Sequence, residues 1–127
     1  MGIAYSNAQS NTGTCTMTAP ATPTVTWNLT TLVVSMAGPT MGPNAKLTIY
    51  DGTVASGTVI YSVFLGSPQA PTGGAGSVGI IQDIPLPRSP QGVPGIQGTP
   101  GNAMNIQVVG TGVNQVSING RFSDGLP

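Results

Sequence analysis

The stretch "MNIQVVGTGVNQVSINGRF", residues 104–122, decides how this chain is read. Met104, Ile106 and Val108 occupy alternate positions, "GTG" at 110–112 interrupts, and Val116, Ile118 and Phe122 then fall on one face again. Such alternation marks extended chain with one covered face, and the glycines between the halves predict a hairpin. The same period recurs upstream. "LTTLVVSMA" (29–37) reads as a central strand, ended by "GPTMGPN". "AKLTIYD" (45–51) sets Ala45, Leu47 and Ile49 against Lys46, Thr48 and Tyr50 on the opposite face. Asp51-Gly52 then opens a turn, because glycine tolerates the positive φ that such turns require. "GTVIYSVFL" (57–65) is apolar on both faces, which predicts a strand covered on both sides. "SVGIIQDIPL" (77–86) is a strand broken at Pro85. No segment carries a helical period of useful length. Seven or eight short strands punctuated by Gly and Pro predict an all-β, single-domain antiparallel β-sandwich, jelly-roll or immunoglobulin-like.

Composition narrows what such a sandwich can do. The chain has 127 residues, of which 39% are hydrophobic, enough for one domain with a core. Only 5% are charged, against about 25% in ordinary soluble domains. The six charges are Lys46, Asp51, Asp83, Arg88, Arg121 and Asp124; the net charge is zero and there is no histidine. A surface this neutral cannot collect phosphates by counterion release, so nucleic acid is not an expected partner. Cys15 is the sole cysteine, which excludes an internal disulfide and a cysteine metal cluster. The first residues, "MGIAYSNAQS", have no basic or long apolar run, so neither a signal peptide nor a membrane anchor is expected.

The catalytic inventory is equally short. Without histidine, Ser-His and Cys-His arrangements are impossible. Asp51 and Asp124 each precede a glycine and read as turn formers, and Lys46 reads as the solvated face of its strand. A formal G-x-G-x-x-G occurs at 74–79, "GAGSVG", but a dinucleotide loop needs a strand just before it and a helix after it. Here the upstream strand ends at Leu65 and the downstream segment is β-rich. The expectation is a protein with no enzyme activity, no cofactor and no metal. Rings for stacking a glycan are few: Tyr5, Trp27, Tyr50 and Tyr61, with Trp27 and Tyr61 assigned to the core.

Two segments stand apart from the strands. In "NTGTCTMTAPATPTVTWN" (11–28) threonine alternates at 12, 14, 16 and 18, then at 22, 24 and 26, while Pro20 and Pro23 restrict pairing to an edge. Residues 1–22 therefore read as an extended N-terminal arm ahead of a domain spanning 23–127, one that orders by adding a strand to a neighbour. The second segment, "QGVPGIQGTPGNA" (91–103), has glycine at every third position: Gly92, Gly95, Gly98 and Gly101. Four triplets are too few for a collagen helix. Together with Pro85, Pro87, Pro90, Pro94 and Pro100 they predict a stiff Pro/Gly loop over 85–103, beside another over 66–79. A stiff loop loses little entropy on docking, which suits a subunit contact.

A small, uncharged, Thr/Gly/Pro-rich β protein with such an arm, carrying "NAKLTIYDGT" (44–53) and "NIQVVGTGVNQVSINGRFSDGLP" (105–127), resembles bacteriophage virion accessory proteins, capsid decoration (cement) proteins foremost. That resemblance implies a sandwich, often trimeric, that is made in the host cytoplasm. It would sit on the capsid surface and glue the major capsid protein or other virion subunits together. The contacts expected are Cys15, Thr16, Met17 and Thr18 of the arm and Pro87, Pro94, Ile96 and Pro100 of the loop. Alternative placements are a host-glycan-binding head or tail fibre module, or a tail or neck subunit.

Overall fold

The computed structural model describes residues 2–9, 13–38, 45–65, 78–87, 95–110 and 115–124. Nine strands appear there: β1 (Gly2–Gln9), β2 (Gly13–Ala19), β3 (Trp27–Gly38), β4 (Ala45–Asp51), β5 (Thr58–Leu65), β6 (Val78–Asp83), β7 (Ile96–Gln97), β8 (Met104–Gly110) and β9 (Gln115–Asp124). They form two antiparallel sheets. One runs β1-β9-β3-β6, with the short β7 also on β3, and the other runs β2-β8-β4-β5.

The pairings have a simple logic. β4 pairs with β5, β3 with β6, β2 with β8 and β1 with β9. The chain is thus a two-stranded ribbon, folded back at the β4–β5 hairpin and rolled so that successive pairs fall in alternate sheets. This is the jelly-roll arrangement of the sandwich. The hairpin bend uses Gly52 at φ +110° and Ala55 at φ +68°, with Gly57 N–H donating to the Thr53 carbonyl at 2.7 Å.

Alternation decides what lies between the sheets. Cys15, Met17 and Ala19, Leu47 and Ile49, and Met104, Ile106 and Val108 line one inner face; Leu32, Val34 and Met36, with Val116, Ile118 and Phe122, line the other. Along β3 the buried positions change parity, from Trp27 and Leu29 to Leu32, Val34 and Met36. A bulge makes this possible: Leu29 opposes Phe122 while Thr31 opposes Arg121, so Thr30 is the extra residue. Its hydroxyl donates to the Arg121 carbonyl at 3.0 Å. Trp27 closes one end of the core, edge-on to Phe122 with ring centroids 5.9 Å apart, and its indole N–H donates to the Pro20 carbonyl at 2.8 Å.

Three expectations are corrected. Residues 104–122 are two strands but not a hairpin. β8 pairs with β2 and β4, whereas β9 pairs with β1 and β3, so the two lie in opposite sheets. Their apolar faces meet across the core, and a period of two cannot distinguish that from pairing side by side. The arm of residues 1–22 is extended but belongs to the sandwich: β1 runs the length of β9 and β2 that of β8. The domain therefore does not begin at residue 23. The alternating Cys15, Met17 and Ala19 give β2 an apolar face to bury within its own chain. Finally, β5 is an edge strand, with Val59 54% and Phe64 67% exposed, not a strand covered on both faces. Among the described residues, no second layer covers its apolar outward side chains.

Gly120 tests the packing. It faces inward on β9, where an added Cβ would lie 2.7 Å from Met17 Cε and 3.2 Å from Leu29 Cδ1. Gly120→Val should destabilise by about 1–3 kcal/mol, the usual cost of overfilling a packed core. Urea unfolding should show a lower midpoint at unchanged slope, and adding Met17→Ala should recover part of the loss. An unchanged midpoint in the single variant would contradict the contact.

Candidate interaction surfaces

The glycine-triplet segment docks on its own domain. Gly95 N–H donates to the Pro87 carbonyl at 2.9 Å, β7 pairs with Asn28 and Leu29, Gly98 N–H donates to Trp27 at 2.9 Å, and Gly101 N–H donates to Val25 at 2.8 Å. Gly95, at φ +149°, passes so close to β3 that a Cβ would meet Asn28 Oδ1 at 2.7 Å. Glycine here admits a neighbouring strand, not a threefold axis. The segment is pinned from its other side by Asp51, whose carboxylate accepts from Thr99 N–H at 3.1 Å, the Thr99 hydroxyl at 2.5 Å and Asn102 Nδ2 at 3.4 Å. Beside it the buried Asn105 accepts from the Thr18 hydroxyl at 2.5 Å and donates to the Gly52 carbonyl at 2.7 Å. Asp51 thus does more than form a turn: it joins the hairpin bend to the loop.

Of the contact residues expected from sequence, Cys15, Met17 and Ile96 are buried in the chain's own core and are unavailable to a partner. Burial follows from strand parity at Cys15 and Met17, and from the β7 pairing at Ile96. Thr16 is half-buried; Thr18, Pro87 and Pro100 are exposed. Pro94 lies outside the described residues, as does most of the 74–79 glycine motif. The structure does not gather these residues into one patch: β2 is one edge of its sheet, and the loop crosses the β3–β4 end. Trp27 is buried and Tyr61 packs on the core with its hydroxyl donating to the Pro85 carbonyl at 2.9 Å, as their assignment to the core requires.

Two surfaces emerge that the sequence did not mark. One is the side where β5 and β6 end their sheets. There the segment Asp83–Leu86 is flanked by a cleft of about 280 Å³ lined by Val63, Phe64, Leu65, Asp83, Ile84 and Pro85. A second cleft, of about 450 Å³, lies against Thr31, Val33 and Leu86. The strand β5 at this margin contains no charged residue and no proline. The other surface is the outer face of the β2-β8-β4-β5 sheet, whose register builds three cross-strand rows. They are Thr14, Val109, Lys46 and Phe64; Thr16, Gln107, Thr48 and Ser62; and Thr18, Asn105, Tyr50 and Val59. Lys46 Nζ sits over the Phe64 ring, 5.6 Å from its centroid, a cation–π contact. Alternation in "TVIYSVFL" already separates Phe64 from Leu65, but only the sheet order reveals that Phe64 meets solvent.

Among the described residues, these surfaces do not gather charged or nucleophilic groups into one cluster. Lys46 lies on one outer face, Arg121 on the other, Asp51 at the hairpin bend and Asp83 at the end of β6. Among the described residues, no three His, Cys, Asp or Glu side chains come together as a metal site.

Two measurements follow. Burial pushes the Cys15 thiol above its ordinary pKa, which keeps it protonated and unreactive. A thiol-specific disulfide reagent should therefore label it in the native protein only at the rate of opening, and at once in urea; immediate native labelling would show β2 to be detached. Asp51→Asn removes a charged acceptor from three donors and should cost about 1–2 kcal/mol, discounted for partial exposure. Limited proteolysis should then cut within 98–103 faster than in the parent, and an unchanged rate would show that Asp51 does not hold the loop.

No family model matches the chain, and no curated protein sequence matches it. Among solved structures, a chain of the cowpea mosaic virus empty virus-like particle is similar with a TM-score of 0.42 and 12% identity, covering 100% of this chain and 86% of that one. A family 16 carbohydrate binding module is similar at 0.37 and 10%, covering 94% and 74%. A broad bean stain virus chain is similar at 0.36 and 11%, covering 100% and 92%.

Proposed function

We propose that this chain is a structural virion protein, a capsid decoration or cement subunit that binds the major capsid shell and has no catalytic role. The observation that carries the reading is the uncharged, apolar β5 margin. Solitary proteins protect sheet edges with lysine, proline, bulges or covering chain. Here an eight-residue edge strand has a bulge at Ile60 but no charge and no proline, and exposes Val59 and Phe64 beside a cleft lined by Ile84 and Pro85. Covering Val59 and Phe64, which are 54% and 67% exposed, returns roughly half to two-thirds of the 1.5–3 kcal/mol of a full burial each, so an assembled neighbour stabilises this margin. Near-absence of charge elsewhere supports the same reading, because it leaves little electrostatic repulsion between packed copies. Homo-oligomerisation, with a trimer as the first form to seek, and a location on the capsid surface belong to the proposal. The inward side chains of β2 take no part, since Cys15 and Met17 are buried within the fold; the outer edges of β1 and β2 and the exposed Pro87 and Pro100 remain available to it.

Co-sedimentation with shells assembled from the cognate major capsid protein tests the idea. Binding should be saturable, and Ser62→Lys, which places a charge at an exposed position of β5, should weaken it at least tenfold at an unchanged melting temperature. A chain that stays monomeric at high concentration and ignores such shells overturns the reading.

A further inference from the structure

The outer face of the β2-β8-β4-β5 sheet has a pattern that subunit packing does not require. Its apolar residues do not merge into one patch. Phe64 and Val109 lie in the first row, Tyr50 and Val59 in the third, and the row between them is Thr16, Gln107, Thr48 and Ser62, hydroxyls and one amide. Lys46 and Tyr50 are four residues apart on β4, so the rows holding the two rings are about 13 Å apart along the strands. Phe64 is mostly exposed, with Lys46 Nζ over its ring, and Tyr50 is partly exposed.

From this arrangement we infer that the face binds a neutral oligosaccharide, laid along β4 and β5 from Phe64 to Tyr50. A sugar chain is amphipathic in the same alternation, with C–H faces that stack on rings and hydroxyl edges that need donors and acceptors. Gln107 supplies both, and the Thr48 hydroxyl stands beside it in the row. Other ligand classes fit less well. Nucleic acid or an acidic polymer would need more cations than Lys46, which is the sole charged side chain in the three rows. A lipid surface would need a contiguous apolar patch, whereas this centre is polar. Charge matches too: the rows contain no carboxylate, and an uncharged ligand faces no unpaired anion. The strands beneath are paired on both sides at β8 and β4, so the platform is formed before the ligand arrives. The site shares Phe64 and Val59 with the β5 margin, so a neighbour seated there would compete with the sugar; it is therefore measured on the isolated protein, where its failure is distinct from failure to bind a shell.

Affinity electrophoresis and calorimetry with cellohexaose, xylohexaose, mannohexaose and dextran, with heparin as an anionic control, provide the test. At least one neutral probe should bind saturably. Tyr50→Ala and Gln107→Ala should each weaken it at least tenfold, Phe64→Ala should weaken it comparably, and Arg121→Ala on the opposite outer face should leave it unchanged. Circular dichroism melting of each variant identifies any that fails to fold, and Gln107→Ala, which leaves the rings in place, stands as the second test. No saturable binding to any neutral probe, binding to heparin alone, or binding indifferent to Tyr50, Phe64 and Gln107 would overturn the inference.

Discussion

The architecture depends on parity. Each sheet has one face turned to the core, and every second residue of every strand must be apolar where that face is covered. A ribbon of paired strands satisfies this only if no residue is gained or lost between turns. Where one is gained, at Thr30, a bulge absorbs it, and Leu29 and Leu32 both remain inside although their numbers differ by an odd count. A second bulge on β5, between the pairs Ile49–Tyr61 and Tyr50–Val59, leaves Ile60 unopposed. Phe64 and Val59 end on the outer face because the core positions of that strand are taken by Tyr61, Val63 and Leu65.

The same parity explains what was legible beforehand. Strand positions at 29–37, 45–51, 77–86 and 104–122 can be read from alternation and from the prolines and glycines that end it. The sandwich class follows from them. Which strands adjoin cannot be read this way, because an apolar stripe packs equally well beside its neighbour or across from it. That ambiguity is why β8 and β9 resemble a hairpin in the sequence and stand in opposite sheets in the fold. It is also why the Thr-rich segment reads as an arm: Cys15 and Met17 share one face, but alternation does not say whether this chain or a neighbour covers that face, and Pro20 and Pro23 set the segment apart from the strands that follow. The candidate surfaces were hidden for the same reason, since exposure of Phe64 is a property of sheet order.

Polar uncharged residues are asked to do locally what charges do in other domains. Asp51 is the exception that shows the method: one carboxylate gathers three donors from Thr99 and Asn102 and fastens a glycine-rich loop that has few side chains of its own. Backbone N–H groups of Gly95, Gly98 and Gly101 complete the attachment. The glycines serve different ends: Gly95 and Gly98 lie where a side chain would intrude on Asn28 or Asp51, whereas Gly101 has open space and is required by its φ of +83°.

One consequence of the topology concerns the order of events during synthesis. β9 lies between β1 and β3, and Gly2 sits opposite Ser123. That sheet cannot be completed until residues 115–124 have left the ribosome; until then β1 and β3 have no common neighbour and their hydrogen-bonding groups stay open. Contacts of such high sequence separation make folding slow, on the order of milliseconds to seconds for β-rich domains. Nascent copies held close together on one messenger could therefore lend one another the missing strand, and exchange of β9 between chains is the misassembly this topology invites.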